Sequence, residues 1–119
     1  MDAAFADRWC RHKMGYPPAD VERGILRQRH GQANELDLAA VVAVANSLRQ
    51  RFVAGDIPKT CSMRATLNAA RRLSLGSSLK RALVSAIVNQ YEGDMSDPSS
   101  DAGRVWSYIR GTVPADRLQ

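Results

Sequence analysis

Leu36-Asp37-Leu38-Ala39-Ala40-Val41-Val42-Ala43-Val44-Ala45-Asn46-Ser47-Leu48-Arg49-Gln50-Arg51-Phe52-Val53 carries the strongest helical signal in the chain. Leu38, Val41, Ala45, Leu48 and Phe52 follow the spacing of one buried face of a helix. Gly55 follows as a C-terminal stop, and Gly55-Asp56-Ile57-Pro58 reads as a turn. An amphipathic helix of this length needs neighbours to cover its apolar stripe.

Those neighbours are legible on both sides. Downstream, Ser62 is an N-cap for a helix from Met63 to about Leu73, which buries Leu67, Ala70 and Leu73. Leu75-Gly76-Ser77-Ser78 breaks and recaps the chain. A fourth long helix, roughly 79–91, shows Leu79, Leu83, Ile87 and Tyr91 at intervals of four. The polar run from Asp94 to Gly103 reads as a loop or linker. Beyond it a last amphipathic turn or two carries Val105, Trp106 and Ile109, and the end after Gly111 is expected to be loose. Upstream, Tyr16-Pro17-Pro18 launches a helix with Asp20 and Glu22 in its first turn, where the macrodipole favours acids. Its expected apolar stripe is Val21, Ile25 and Leu26, and His30-Gly31 ends it. Residues 2–12 are expected to form a short helix with Phe5 and Trp9 beside a cluster of Arg8, Arg11, His12 and Lys13. No strand-rich region and no internal repeat appears, so the fold class is all-α, a small bundle of four or five helices.

The 119 residues suffice for one small domain or a piece of a larger one, and 45% hydrophobic residues exclude a disordered tail. Net charge is +5, from 14 Arg and 3 Lys against 12 acids. The arginine bias favours forked contacts to carboxylate or phosphate. Cys10 and Cys61 lack CxxC or Cys/His spacing, and His12 and His30 are isolated, so no metal site is expected. With no signal peptide and no apolar run of membrane length, the expected setting is cytoplasmic, with no membrane partner. Catalytic apparatus is incomplete: Gly76-Ser77-Ser78-Leu79-Lys80 lacks the second glycine of a phosphate loop, and no Ser/His/Asp set or carboxylate pair has hydrolytic spacing.

One residue stands out against this background. Arg64 falls in the first turn of the helix capped by Ser62, at the positive end of the macrodipole, where a guanidinium costs a few tenths of a kcal/mol. It either swings into solvent or meets an anion, such as phosphate, drawn to the same free N–H groups.

Phe52, Gly55-Asp56 and Ser62-Met63-Arg64 together resemble the lid of MoxR-type AAA+ ATPases, closest to the ATPase subunit of aerobic cobaltochelatase. There a helix ending in an aromatic is followed by a Gly-Asp turn and by Ser-Pro-Arg opening the next helix; Met63 replaces the proline. Asp7-Arg8-Trp9 resembles the Asp-Arg-Phe/Trp that closes the family's nucleotide-binding core. Tyr16-Pro17, Glu22 and Ile25-Leu26 resemble the strand end and helix leading into the lid. The resemblance spans about residues 5–92. It implies Arg64 as the second sensor on nucleotide phosphates and Arg8 as an arginine finger reaching the neighbouring subunit's nucleotide. It divides the chain into a core remnant (1–33), a helical lid (34–92) and a linker with a short C-terminal helix (93–119). The implied cofactor is ATP, with Mg2+ held by residues outside this chain, because the family's phosphate loop and magnesium-binding acids lie upstream of Asp-Arg-Trp. The chain is therefore expected to be a fragment, inactive alone. Implied partners are the AAA+ core, neighbouring subunits of a ring, by family a hexamer, and a von Willebrand-type subunit. The alternative is a small basic helix-turn-helix protein around Ser74–Ser78 that binds nucleic acid. Its register is poor, since Arg72 occupies the position that wants a small residue, and only Lys80 and Arg81 lie on the recognition helix.

Overall fold

Why each helix starts and stops where it does is visible in its caps. The computed structural model describes residues 16–119, so Arg8 and the expected helix over 2–12 lie outside the described residues. Pro18 precedes α1 (Ala19–Arg29), presetting φ at −56° for entry into the helix. Asn34 caps α2 (Glu35–Val53), its side chain accepting from Leu36 N at 2.7 Å. Ser62 caps α3 (Met63–Ser74), accepting from Ala65 N, and Ser78 caps α4 (Leu79–Ala86), accepting from Arg81 N. A 3-10 turn covers Val88–Gln90, and Ser100 caps α5 (Asp101–Thr112) before a final 3-10 turn at Ala115–Leu118.

Two helix ends close in the same way. Gly55 at φ +86° lets its own N–H reach Phe52 O and Asp56 N reach Arg51 O. Gly76 at φ +98° repeats this, with bonds to Leu73 O and from Ser77 N to Arg72 O. Both are Schellman closures, in which an L side chain at the glycine would be strained.

The architecture is an all-helical bundle, with no strand among the described residues. α2 is its axle: α1, α3 and α5 all pack on it, α3 pairs with α4, and the final turn returns to α4. Leu38, Val41, Ala45 and Leu48 are buried as their spacing predicts, and Phe52 is half-buried. Val42 and Val44 are buried as well, because α2 is covered on more than one side.

Five expectations are corrected. In α1, Val21 is 47% exposed and the acid beside it, Glu22, takes the inward position with Leu26. In α3, Leu67 is only half-buried, and Ala65, Thr66, Ala69, Ala70 and Leu73 form the inner face. The run over 79–91 is α-helical only to Ala86; Ile87 turns away at φ −117°, ψ −61°, yet Leu79, Leu83, Ile87 and Tyr91 are all buried. The C-terminal region is a full helix whose first residues, Asp101 to Gly103, fall inside the expected loop. Past it, Val113 and Leu118 are buried rather than loose.

Candidate functional site

Arg64 is the second residue of α3, and its side chain is exposed. No acid lies in that first turn, and among the described residues Arg64 has no ion-pair or hydrogen-bond partner. Among the described residues nothing compensates its charge, which sits beside the positive end of a helix. An anion placed there meets both the guanidinium and the helix-end dipole. Of the neighbouring residues in the pattern, Ser62 acts as the cap, Gly55 closes α2, and Asp56 forms a long, exposed pair with Arg51 at 3.5 Å. Arg8 lies outside the described residues.

Directly inside this turn is a buried polar set that pattern reading passes over. Glu22 from α1 is fully buried, Arg49 from α2 is 6% exposed, and Thr66 from α3 is fully buried. The carboxylate accepts a forked pair of bonds, Nη1 to Oε1 at 2.7 Å and Nη2 to Oε2 at 2.9 Å. Arg49 Nε donates to Cys61 O at 2.8 Å, and Nη1 also reaches Asn46 Oδ1 at 3.0 Å. The Thr66 hydroxyl lies 3.0 Å from both Glu22 Oε2 and Met63 O, and donates its proton to one of them. Tyr16 lies over the guanidinium, with its ring centroid 3.8 Å from Cζ, and its hydroxyl is 3.4 Å from Thr60 Oγ1. No buried side-chain N or O among the described residues lacks a partner.

The electrostatics follow from this enclosure. Burial lowers the Arg49 pKa, but the hydrogen bonds and charge of Glu22 more than offset it, so the guanidinium stays firmly charged. Burial pushes the Cys61 thiol up to about 12, with Arg49 pulling the other way. Burial also raises the Tyr91 phenol, whose hydroxyl donates to Lys59 O at 3.0 Å. The 59–66 segment is thus held by Arg49, Glu22 and Tyr91 while Arg64 is exposed.

The sequence carries only a partial signal for this set. Arg49 is four residues after Ala45 and seven after Val42, on their face of α2, and Glu22 is four before Leu26. That spacing is compatible with a buried pair but does not predict one, because an acid in a first helical turn is already accounted for by the dipole. Elsewhere, an open groove of about 340 Å³ between α1 and the start of α2 is lined by Asp20, Arg23, Arg27, Glu35 and Leu36 among others, and Arg64 is not part of it. Among the described residues no three His, Cys, Asp or Glu side chains come together as a metal site, and no helix is long and apolar enough to cross a membrane.

Comparison with protein-family models, curated proteins and solved structures gives no match to this chain.

Proposed function

We propose that this chain supplies the arginine-finger segment and helical lid of a MoxR-type AAA+ ATPase, nearest in pattern to the cobaltochelatase ATPase subunit. The observation that carries the reading is Arg64, exposed in the first turn of a Ser-capped helix that holds no acid there, and without a partner among the described residues. Such an arginine fits a contact to phosphate, for which a guanidinium fork and helix amides are complementary. In this reading Arg64 contacts the phosphates of ATP bound in its own subunit, and Arg8 reaches the terminal phosphate of the next subunit's nucleotide. The AAA+ core supplies the phosphate loop and the Mg2+ ligands. The lid turns against that core as nucleotide state changes, driving remodelling or metal insertion in a partner, in a ring of the family's hexameric kind.

The helix-turn-helix alternative draws less from the geometry. Lys80 is half-buried with its ammonium 5.8 Å from the Trp106 ring, which leaves Arg81 as the exposed base on α4.

The test pairs the purified chain with the nucleotide-binding core of a MoxR-type ATPase. ATP turnover should require both parts. Arg8→Ala should lower turnover by about a thousandfold or more while fluorescent ATP analogue still binds. Arg64→Ala should weaken that binding about tenfold, the loss of one charge-assisted contact. Turnover by the chain alone, or indifference to both substitutions, overturns the reading. A duplex-DNA complex that weakens steeply with salt would point to the helix-turn-helix alternative instead.

A further inference from the structure

We propose that Glu22, Arg49 and Thr66 form an interlock that ties the first turn of α3, and with it the direction of Arg64, to the chain segment at Tyr16. Its functional half rests on the reading of Arg64 as a phosphate sensor; its mechanical half does not.

The geometry is specific. Cys61 and Thr66 bracket Ser62–Ala65, the residues that carry and flank Arg64. Arg49 Nε holds the Cys61 carbonyl at one end of the bracket, and the Glu22 carboxylate lies 3.0 Å from the Thr66 hydroxyl at the other. Thr66 and Arg64 are two residues apart, about 200° around the helix at some 100° per residue. Thr66 fixed inward therefore means Arg64 fixed outward. Tyr16 closes the fourth side over the guanidinium. A movement of the segment before α1 that lifts the Tyr16 ring alters the packing of Arg49. Arg49 in turn holds the turn that aims Arg64.

Stability alone does not explain such a set. A buried ion pair loses much of its Coulomb gain to desolvation, and well-packed apolar residues stabilise a core at least as well. What the polar set adds is direction. A forked Arg–carboxylate pair accepts only one relative placement of α1 and α2, and two further bonds extend that placement to both ends of one turn. Arg49 is thus a positioning residue for Arg64.

Cys61 offers a local gauge, because its side chain is buried inside the bracket. In a Cys10→Ser background it is the sole thiol, and its reaction rate with an aromatic disulfide reagent reports opening of the 60–66 segment. Arg49→Lys keeps the charge but loses the fork and the Cys61 carbonyl bond. It should speed labelling about tenfold, and at low urea the rate should be nearly independent of denaturant, the mark of local opening. Tyr16→Leu leaves the ion pair in place and should speed labelling about threefold through loss of the cation–π contact; it keeps the test decisive if Arg49→Lys does not fold. With the ATPase core added, Arg49→Lys should weaken fluorescent ATP analogue binding about fivefold, and the Arg49→Lys/Arg64→Ala pair should bind no more weakly than Arg64→Ala alone, since both act through one side chain. Unchanged labelling in the folded variants overturns the interlock. Faster labelling with multiplying effects on binding overturns the positioning role. Faster labelling with binding indifferent to Arg64→Ala supports the interlock and removes the phosphate-sensor reading.

Discussion

Cys61 shows how far a single side chain reports its surroundings. It is 1% exposed, its Sγ lies 3.9 Å from Ser62 O, and burial raises its pKa from about 9 to about 12 despite the nearby Arg49. A pKa raised in the folded state means that its stabilising effect is complete below the unfolded value and is lost as pH rises through the folded one. The window is therefore pH 9 to 12. Urea unfolding across that range should show stability falling, with Cys61 contributing on the order of 1 kcal/mol per pH unit. Cys61→Ala should start lower because of its small cavity and then fall more slowly, leaving a residual slope from Tyr91, whose phenol is also raised by burial. Equal slopes in the two proteins would mean that the thiol is not enclosed as described. The same residues mark what a sequence reader can see. The cap at Ser62 and the outward Arg64 follow from local rules, because capping is decided within four residues. The Glu22–Arg49 pair does not, because an acid in a first helical turn is already accounted for by the dipole. Only the three-dimensional meeting of α1, α2 and α3 reveals that Glu22 points inward while Val21 faces water.

At the scale of elements, the segment before α5 explains why a polar run of sequence hides a helix. Asp94 accepts from Ser96 N at 2.9 Å, and Asp97 accepts from the Ser99 hydroxyl at 2.7 Å and from Ser99 N at 3.0 Å; these bonds hold both carboxyls below the ordinary aspartate range. Ser100 then caps α5, its hydroxyl accepting from Gly103 N at 3.0 Å. Successive Asx turns and a cap are written in the same Asp, Ser and Pro alphabet as a flexible linker, so composition cannot separate them. The 3.6-residue rhythm likewise cannot show that α4 stops at Ala86, because the 3-10 turn after it keeps Ile87, Val88 and Tyr91 on the buried side. Gly103 is where the two segments meet: a Cβ there would stand 1.8 Å from Asp97 O and 2.6 Å from Asp97 C, both backbone atoms. Gly103→Ala should therefore force the turn off the helix and cost about 1–3 kcal/mol by the usual scale of overpacking. Gly24, in the middle of α1 with nothing within 4 Å of its Cβ position, is the matched control. Gly24→Ala should gain about 0.5–1 kcal/mol from helix propensity alone. Thermal melts that rank the two variants in the opposite order would contradict the close approach of α5 to residues 97–98.

Across the whole molecule, the bundle closes through its last seven residues. α5 leaves the side of α2, and the chain then turns so that Val113, at 2% exposure, and Leu118, at 7%, complete the core beside α4. Arg117 reaches Asp37 in the first turn of α2, so the end of the chain is tied to the start of the axle. The two kinds of contact differ in weight. Arg117 and Asp37 each keep about a third of their side-chain surface in water, and a pair of that kind is worth at most about 1 kcal/mol. Burying two aliphatic side chains is worth about 3–6 kcal/mol. Removal of residues 113–119 should therefore lower the unfolding free energy by about 3–6 kcal/mol, a large part of the roughly 5–15 kcal/mol that holds a domain of this size together. Arg117→Ala should cost no more than about 1 kcal/mol, and raised salt should shrink that cost further. Urea unfolding of both variants separates the contributions. If Arg117→Ala matched the truncation, the ion pair would be the true latch; if truncation matched the substitution at under 1 kcal/mol, Val113 and Leu118 would not belong to the core. The expected order follows from the way α2 is enclosed: an axle touched by three helices needs apolar cover at every edge, and the final turn supplies the cover beside α4.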